Sequence, residues 1–413
     1  MSNALAIPRV ARVPARILEQ AGQRVGLAAG RRLRHGRLTL ALPDGTRQLF
    51  GDSGSDLHAE LHVHDEAAFG RMLVKGSTGA GEAYMAGLWS SPDLVRLLRL
   101  AALNIEELAL SAGWWRRPSE LARTLAHRAR RNTPQQARRN IAAHYDLGND
   151  FYRLFLDETM TYSSAVFASA DQPLADAQRN KYRLLAEKAG LEAGMHVLEI
   201  GCGWGGFAIF AAQELDCRVT AVTISAEQHA LATERVRAAG LQDMVEVQMR
   251  DYRDVDGTYD AVVSIEMLEA VGAEFLPAFF EACDRVLAPG GRLSLQVITM
   301  PDATYEDQLR GANWIQTYIF PGGLCPSLSA IEQANRRTNL LITGVEDIAS
   351  HYVQTLQAWR SRFLEQVDAV HGLGFDDRFV RMWEYYLALS EASFASGMSQ
   401  DLQIVMHKRR LVA

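Results

Sequence analysis

From about residue 180 onward, short apolar runs alternate with longer amphipathic stretches. A strand, a helix and a second strand in succession place the two strands parallel in one sheet, and such a sheet carries helices on both faces. The pattern therefore predicts an α/β fold. The predicted strands are His196–Ile200, Arg218–Thr223, Val245–Met249, Asp260–Ile265 and Arg292–Ile298.

A glycine-rich turn, within VLEIGCGWGG, follows the first predicted strand. Gly201, Gly203 and Gly205 occupy alternate positions there, and glycine lets the backbone approach a ligand closely. In an open α/β sheet, ligands bind at the carboxyl ends of the strands. A dinucleotide site needs the spacing G-x-G-x-x-G and an acid that ends the second strand. This chain has G-x-G-x-G, and its second strand ends in Val222–Ser225 without an acid. The turn predicts a nucleotide-like ligand other than NAD.

The chain before residue 126 has a different pattern. Residues 36–65 alternate as strands do around the turn Pro43–Gly45, and a helical pattern begins at Leu94. We predict an N-terminal α+β accessory domain over residues 1–126, a basic linker over 127–140 and a second domain over 141–413. Eight arginines lie between Arg116 and Arg139 against the single acid Glu120. They indicate either a solvated helix between domains or a surface for anionic head groups.

Charge and composition exclude several classes of protein. The net charge of −6 argues against a nucleic-acid binder. Charged residues interrupt the longest apolar stretches, so we expect a soluble or peripheral protein. The first residues, MSNALAIPRV, lack the features of a secretory signal. The four cysteines show neither paired nor metal-binding spacing, which predicts a reducing cytoplasm and no metal site.

Seven ordered segments carry a family resemblance. Glu199–Gly205 resembles the cofactor turn of class I S-adenosylmethionine (SAM)-dependent methyltransferases. Six further motifs resemble those of the cyclopropane fatty acid synthases. These six are His144–Tyr152 (HYDLGNDFY), Val222–Gln228 (VTISAEQ), Arg250–Asp254 (RDYRD), Ser264–Gly272 (SIEMLEAVG), Tyr318–Gly323 (YIFPGG) and His351–Tyr352. Less specifically, Gly81–Trp89 (GEAYMAGLW) resembles the extra domain of the longer bacterial members.

The resemblance implies a Rossmann-like methyltransferase sheet and a defined reaction. Members add a methylene from SAM across the cis double bond of an unsaturated phospholipid acyl chain. The resemblance implies a carbocation, which a bound bicarbonate ion deprotonates so that a cyclopropane ring closes. It further implies a cytoplasmic protein that associates peripherally with the inner face of the membrane, and it leaves a homodimer open.

Motif matches assign a bicarbonate site. Glu269 and Tyr386 match the family's bicarbonate-holding glutamate and tyrosine, and Ile298 matches a main-chain contact. Ser164 stands where a cysteine is common, and Gln296 where a histidine is common. Both replacements can donate hydrogen bonds to an anion. We therefore expect a ring as the product. A methyl-branched or methylene product, or a catalytically degenerate lipid-binding homologue, is the alternative that these two departures leave open.

Motif matches also assign a SAM site. The residues expected at the methionine end are Tyr162, Ser163, Glu199, Gly201 and Gly203. Those expected along the ribose are Thr223, Ile224 and Gln228, and those beside the adenine are Tyr252 and Arg253. A methyltransferase for small nitrogen or oxygen acceptors is the rival enzyme, and Glu269 and Tyr386 count against it. His144 and Glu266 receive no catalytic role, because Glu266 is equally suited to capping the next helix.

Overall fold

The computed structural model describes residues 14–111 and 147–410. The chain forms two compact units, Met1–Ser119 and Glu120–Ala413. The predicted basic linker over residues 127–140 and the first part of the His144 motif lie outside the described residues. Among the helices within the described ranges, none is both long enough and apolar enough to span a bilayer.

The first unit contains a four-stranded sheet in the order β2-β1-β3-β4. Its described elements are α1 (Ala15–Gly30), β1 (Arg37–Ala41), β2 (Arg47–Gly51), β3 (His58–Val63), α2 (Ala67–Lys75), α3 (Ser77–Met85), β4 (Trp89–Ser90), α4 (Leu94–Leu103) and α5 (Ile105–Ser111). Gly45 takes a φ of 85° in the predicted turn between β1 and β2. The Asp93 side chain caps α4 by accepting a hydrogen bond from the main-chain N–H of Arg96 at 2.9 Å.

The second unit contains a seven-stranded sheet. Its described strands are β5 (His196–Ile200), β6 (Arg218–Thr223), β7 (Val245–Met249), β8 (Tyr259–Ile265), β9 (Leu287–Thr299), β10 (Leu340–Asp347) and β11 (Gln400–Lys408). Its described helices are α6 (Asn149–Arg153), α7 (Leu174–Ala189), α8 (Gly206–Leu215), α9 (Ala226–Ala238), α10 (Leu276–Val286), α11 (Asp302–Arg310), α12 (Trp314–Tyr318), α13 (Leu328–Asn335), α14 (Ala349–Glu365), α15 (Val367–Gly372) and α16 (Asp377–Ala395).

The strand order is β10-β11-β9-β8-β5-β6-β7. β5 to β9 pair in parallel, which confirms the predicted α/β sheet. β11 lies between β9 and β10 and runs antiparallel to both, and the sequence analysis did not predict β10 or β11. Their sequences, LLITGVED and QDLQIVMHK, mix apolar residues with glutamine, histidine and charged residues, and so lack the apolar runs of the parallel strands.

Both faces of this sheet are covered. Along β5, Val197 packs into the apolar cluster that contains residues of α7 and α8. Its neighbour Leu198 packs on the opposite side, in the cluster with Phe279 and Phe280 of α10. Successive residues of a strand point to opposite faces, so this alternation fixes the register of β5. It also directs Glu199 to the same face as Val197.

Candidate active site

The turn after β5 takes the conformation that its glycines allow. Gly201, Gly203 and Gly205 have φ values of 82°, 52° and 81°. A Cβ on Gly201 would lie 2.5 Å from Cγ of Met267, which makes glycine obligatory there. A Cβ on Gly203 would meet nothing within 4 Å. The backbone at Gly203 is therefore an open cradle, as a tightly held ligand requires.

Replacing Gly203 with alanine tests this cradle. We expect Gly203→Ala to fold and to weaken SAM binding at least about tenfold, since a Cβ there would occupy ligand space. Gly240→Ala is the matched control, because Gly240 also has a positive φ of 70°, is exposed and has open space at its Cβ. Titration calorimetry measures both affinities. Equal SAM affinity in the two variants would contradict the assignment.

Glu199 is the penultimate residue of β5 and a buried acid, only 3% exposed. Its Oε2 atom has no hydrogen-bond partner among the described residues. Burial raises the pKa of Glu199 to about 8, and the nearby Lys181 ammonium opposes that rise. A buried carboxylate oxygen with a free lone pair fits a cationic or hydrogen-bonding group of a ligand beside the turn.

The raised pKa of Glu199 makes the stability of the cofactor-free protein depend on pH. The folded state holds the proton up to about pH 8, whereas the unfolded chain releases it near 4.5. The stabilisation is therefore complete below pH 4.5 and is lost as the pH rises to 8. We expect the unfolding free energy of the wild type to fall by roughly 1–3 kcal/mol more than that of Glu199→Gln between pH 5 and 8. Urea unfolding at several pH values measures this difference, and parallel curves would contradict it.

The residues expected along the ribose and adenine lie at the same edge of the sheet. Thr223 Oγ1 donates to Gln228 Oε1 at 2.8 Å, and Ile224 is half-buried between them. The main-chain N–H of Arg250, which opens the segment with Tyr252 and Arg253, donates to the Thr223 carbonyl at 2.9 Å.

Arg253 is fixed by an acid on one side and by rings on the other. Its Nε and Nη2 donate to the carboxylate of Asp251 at 2.8 and 2.6 Å. Its guanidinium carbon also lies 5.4 Å from the ring centroid of Tyr252 and 5.5 Å from that of Phe275. The motif at residues 250–254 thus forms a rigid wall next to the end of β6.

Glu266 occupies the centre of a hydrogen-bond network just after β8. Its Oε1 accepts from the main-chain N–H of Ser164 and from Gln296 Nε2, each at 2.8 Å. Its Oε2 accepts from the Tyr352 hydroxyl at 2.7 Å. Burial raises the pKa of Glu266 above its usual range, and the Tyr352 hydrogen bond is the largest opposing effect. The sequence analysis gave Glu266 no role. Its position directly after a strand, at the ligand-binding edge, was the available signal.

Gln296 and Ser164 are therefore already engaged. The Gln296 amide nitrogen also lies 3.2 Å from the Ser164 carbonyl and from Asp401 Oδ2, and the amide oxygen accepts from Gln403 Nε2 at 3.1 Å. The Ser164 hydroxyl donates to the Ala165 carbonyl at 3.0 Å. Donors that serve protein carbonyls and carboxylates cannot also hold an external anion. These residues do not fit a bicarbonate ion.

Glu269 lies one turn beyond Glu266, in a short 3₁₀ helix. Its Oε1 accepts from the main-chain N–H of Ile298 at 2.5 Å, so the structure brings these two predicted residues together. Its Oε2 is buried, without a hydrogen-bond partner among the described residues. Burial, and then the negative charge of Glu266, raise the pKa of Glu269 to about 8.

Aromatic rings surround Tyr162 and Tyr386. The Tyr162 hydroxyl donates to the Tyr386 oxygen at 2.9 Å. The Tyr162 ring centroid lies 5.3 Å from that of Trp359 and 6.4 Å from that of Phe320, and Phe320 lies 5.9 Å from Tyr386. The loop of Phe320 reaches Glu269, whose carbonyl accepts from the main-chain N–H of Leu324 at 2.8 Å. These faces, which we call the aromatic wall (Tyr162, Phe320, Trp359 and Tyr386), suit a cation.

The aromatic wall continues to the glycine turn. Tyr152 has its ring centroid 5.4 Å from that of Tyr162 and 5.0 Å from that of Trp204, which lies inside the turn. Trp204 Nε1 in turn donates to Asn149 Oδ1 at 2.7 Å. One connected set of side chains thus joins the cradle at Gly203 to Tyr386.

Lys181 of α7 is a buried cation that the sequence analysis missed. Its Nζ donates to Ser163 Oγ at 2.7 Å, which places Ser163 beside the acids. Burial lowers the pKa of Lys181 to about 8, and Glu266, Asp401, Asp157 and Glu199 oppose the shift. The available signal was the four-residue spacing of Lys181 from Ala177 and Leu185, which places the lysine in a buried stripe of the helix between two apolar residues.

Known proteins with similar sequences identify the family. The family model for mycolic acid cyclopropane synthetase matches residues 132–404. A tuberculostearic acid methyltransferase of Mycobacterium tuberculosis is 44% identical over 400 residues, which cover 94% of this chain and 92% of that protein. The cyclopropane-fatty-acyl-phospholipid synthase of Escherichia coli strain K12 is 34% identical over 85% of this chain and 88% of its own length.

Solved structures of that family have a similar fold. The cyclopropane synthase MmaA2 from Mycobacterium tuberculosis superposes with a TM-score of 0.62 at 30% identity, over 66% of this chain and 98% of its own. The mycolic acid cyclopropane synthase CmaA1 complexed with SAH and CTAB also superposes with a TM-score of 0.62 at 30% identity, over 66% of this chain and 98% of its own. The chain therefore belongs to the cyclopropane synthase family of Rossmann-like, SAM-dependent methyltransferases.

Proposed function

We propose that the protein transfers the methyl group of SAM to the cis double bond of an unsaturated acyl chain in a membrane phospholipid. The observation that carries the proposal is the connected path of side chains from the cradle at Gly203 along the aromatic wall to Tyr386. Glu266 joins this path through Tyr352, whose ring contacts Trp359, and the main chain of Glu269 joins it through the loop of Phe320. The site therefore combines an open backbone for the cofactor, aromatic ring faces for a cation and carboxyl groups that can accept a proton.

The turn region fits SAM. The open backbone at Gly203 accommodates the methionine end, and the free lone pair of Glu199 suits its ammonium group. The amide nitrogen of Gln228, whose amide oxygen accepts from the Thr223 hydroxyl, suits the ribose hydroxyls, and Tyr252 and Arg253 provide a flat surface for adenine. When bound, SAM supplies an activated methyl group and departs as its sulfide, SAH, the compound present in the CmaA1 complex.

The aromatic wall fits the other reactant. An alkene is a poor nucleophile, so its reaction depends on being held in contact with the methyl group. Bond formation to one alkene carbon leaves positive charge on the other carbon. The faces of Tyr162, Phe320 and Trp359 stabilise that charge, and their packing excludes water that would capture it. CTAB, the compound in the CmaA1 complex, is an ammonium surfactant with a long alkyl tail, and so combines the same two chemistries.

We propose a methylene-branched chain as the main product. A hydride shift moves the charge to the carbon that carries the new methyl group, and loss of a proton from that methyl then gives C=CH₂. The relative with 44% identity over 94% of this chain is named a methyltransferase, which supports this product. A saturated methyl branch would need a reductant in addition, and the glycine turn lacks the dinucleotide pattern.

The cyclopropane ring expected from the resemblance is the second candidate. Loss of the same proton before the hydride shift closes the ring. The contact of Glu269 with the Ile298 amide, together with the 34% identity to the Escherichia coli synthase, favours it. Neither route as we propose it uses bicarbonate, because Ser164 and Gln296 are engaged by protein groups.

Incubation of the purified protein with SAM and vesicles of unsaturated phospholipid tests the proposal. Mass spectrometry of the acyl chains should show a gain of one CH₂. Proton NMR then separates the products, because a methylene group gives alkenyl signals and a ring gives upfield cyclopropyl signals. Vesicles of saturated phospholipid are the matched control. An unchanged acyl mass with unsaturated vesicles and a measurable affinity for SAM would contradict the lipid substrate.

The remaining assignments follow the same proposal. Residues 141–413 would carry the reaction, residues 1–126 would serve as an accessory domain, and 127–140 would join them as a basic linker. A peripheral position at the inner face of the membrane suits the phospholipid substrate. Sedimentation with anionic and with neutral vesicles measures that association.

A further inference from the structure

We infer that Glu266 is the catalytic base of this protein, so that a carboxylate of the chain itself removes the proton that the family resemblance assigned to bicarbonate. The inference rests on the proposed methyl transfer to an alkene. It goes beyond that proposal because it identifies the proton acceptor and predicts that the reaction needs no added anion.

Hydrogen bonding gives the first argument. An ionised carboxylate only accepts hydrogen bonds. The Glu266 carboxylate accepts three: from the Ser164 N–H, from the Gln296 amide and from the Tyr352 hydroxyl. A carboxylate has room for about four acceptor contacts. Among the described residues, Oε2 accepts a hydrogen bond only from Tyr352, so this oxygen retains a lone pair for a proton. Ser164 and Gln296 are two of the positions to which the resemblance assigned contacts with an external anion.

Backbone conformation gives the second argument. Glu266 has a φ of 47°, one of three described non-glycine residues with a positive φ. Such a conformation costs on the order of 1–3 kcal/mol and persists only where the surroundings fix it. The Glu266 main-chain N–H donates to the Gln296 carbonyl at 2.8 Å, and the next residue, Met267, packs against Gly201 of the cofactor turn. The strained backbone thus holds the carboxylate beside the turn that binds the methyl donor.

Charge gives the third argument. Glu266 and Glu269 are half-buried residues, whereas the other acids near Glu266, Asp401 and Glu199, are buried. The Lys181 ammonium interacts electrostatically with the Glu266 carboxylate and so keeps a positive charge near it. Burial raises the pKa of the Glu266 carboxyl, which makes its carboxylate a stronger base. Two carboxyl groups, Glu266 and Glu269, already occupy the site, and the negative charge of Glu266 is one of the causes that raise the pKa of Glu269. Electrostatic repulsion disfavours a third anion there.

The proton transfer balances without a co-reactant. A C–H bond of the added methyl group breaks, and its proton goes to Oε2 of Glu266. The electron pair of that bond forms the C=CH₂ bond after the hydride shift, or the last ring bond if no shift occurs. The carboxyl group returns the proton to solvent before the next turnover.

Removal of dissolved carbon dioxide tests the inference on the wild type. In degassed buffer under argon, the rate of methylated lipid formation should stay within about twofold of the rate with added bicarbonate. A loss of tenfold or more that bicarbonate restores would overturn the inference and leave the proposed function intact. Failure to methylate unsaturated phospholipid under any condition overturns both.

Two substitutions at the same position sharpen the test. Glu266→Gln removes the base and keeps the shape, so kcat should fall about 10²–10⁴-fold with unchanged affinity for SAM. Glu266→Gly suits the positive φ and frees the three donors. This variant should lose activity in degassed buffer and regain part of it when bicarbonate or formate is added. Exposed Glu332 supplies the matched control, Glu332→Gln, which should retain wild-type kcat.

A binding measurement gives a readout that does not depend on turnover. ¹³C-bicarbonate should show line broadening with Glu266→Gly and none with the wild type. Broadening with the wild type that Glu266→Gly abolishes, or wild-type kcat in Glu266→Gln, would overturn the assignment of the base.

Discussion

Glu269→Gln should lower kcat by about 10²–10³-fold while the affinity for SAM stays within a few fold of the wild type. The buried Oε2 of Glu269 has no hydrogen-bond partner among the described residues, and the main chain of Glu269 is bonded to the loop that carries Phe320 of the aromatic wall. We expect the ionised carboxylate, which predominates above the raised pKa of about 8, to stabilise a neighbouring carbocation. Glutamine keeps the contact size and removes the charge. The effect therefore belongs to the transition state, and kcat reports it more directly than KM.

Glu281→Gln is the control for that experiment. Glu281 is an exposed residue of α10 in the same unit, and its loss of charge should leave kcat unchanged. Single-turnover measurements with unsaturated phospholipid vesicles separate the chemical step from product release. If both variants turn over at the same rate, Glu269 has no electrostatic role.

Trp359→Ala should destabilise the protein by about 3–5 kcal/mol. Trp359 is 0% exposed, and its ring contacts those of Phe155, Tyr162 and Tyr352. Alanine leaves a cavity in the aromatic wall, and water that enters it would capture the carbocation as an alcohol. We therefore expect both a lower urea midpoint and hydroxylated acyl chains among the products.

Two comparison variants separate packing from chemistry. Trp359→Phe retains an aromatic face and should lose less stability and give less alcohol than Trp359→Ala. Leu373→Ala, at a side chain that is 44% exposed, should change the unfolding free energy by less than about 0.5 kcal/mol. An unchanged urea midpoint in Trp359→Ala would show that the ring does not support the fold.

The parallel strands were predictable because each combines an apolar run with a following helix. His196–Ile200, Arg218–Thr223 and Val245–Met249 form strands with the predicted bounds. β11 was not predictable in this way, because its buried face includes Asp401 and Gln403, which serve the site through Gln296. A strand that contributes polar groups to a buried hydrogen-bond network loses the apolar pattern that identifies strands.

The site residues also divide into those that the sequence located and those that it did not. Motif order located Glu269 and Ile298, and these residues are in contact through a 2.5 Å hydrogen bond. Motif matching gave Glu266 no role, although three donors converge on it. Motif matching did not reveal Lys181 either, because the Lys181 ammonium interacts with acids that come from separate strands and loops. The sequence marks the positions of both residues, Glu266 after a strand and Lys181 in a helix stripe, but their partners come from distant segments that only the folded chain brings together.

The position of β11 affects how the protein matures during synthesis. β9 ends at Thr299, and its neighbour β11 begins at Gln400, so the ribosome adds about one hundred residues before the two edges can pair. Throughout that interval the growing chain presents an unpaired, largely apolar β9 edge, which is prone to join other strands. Nascent chains of this protein should therefore depend on chaperones, and slower translation over residues 300–400 should lower the yield of native enzyme.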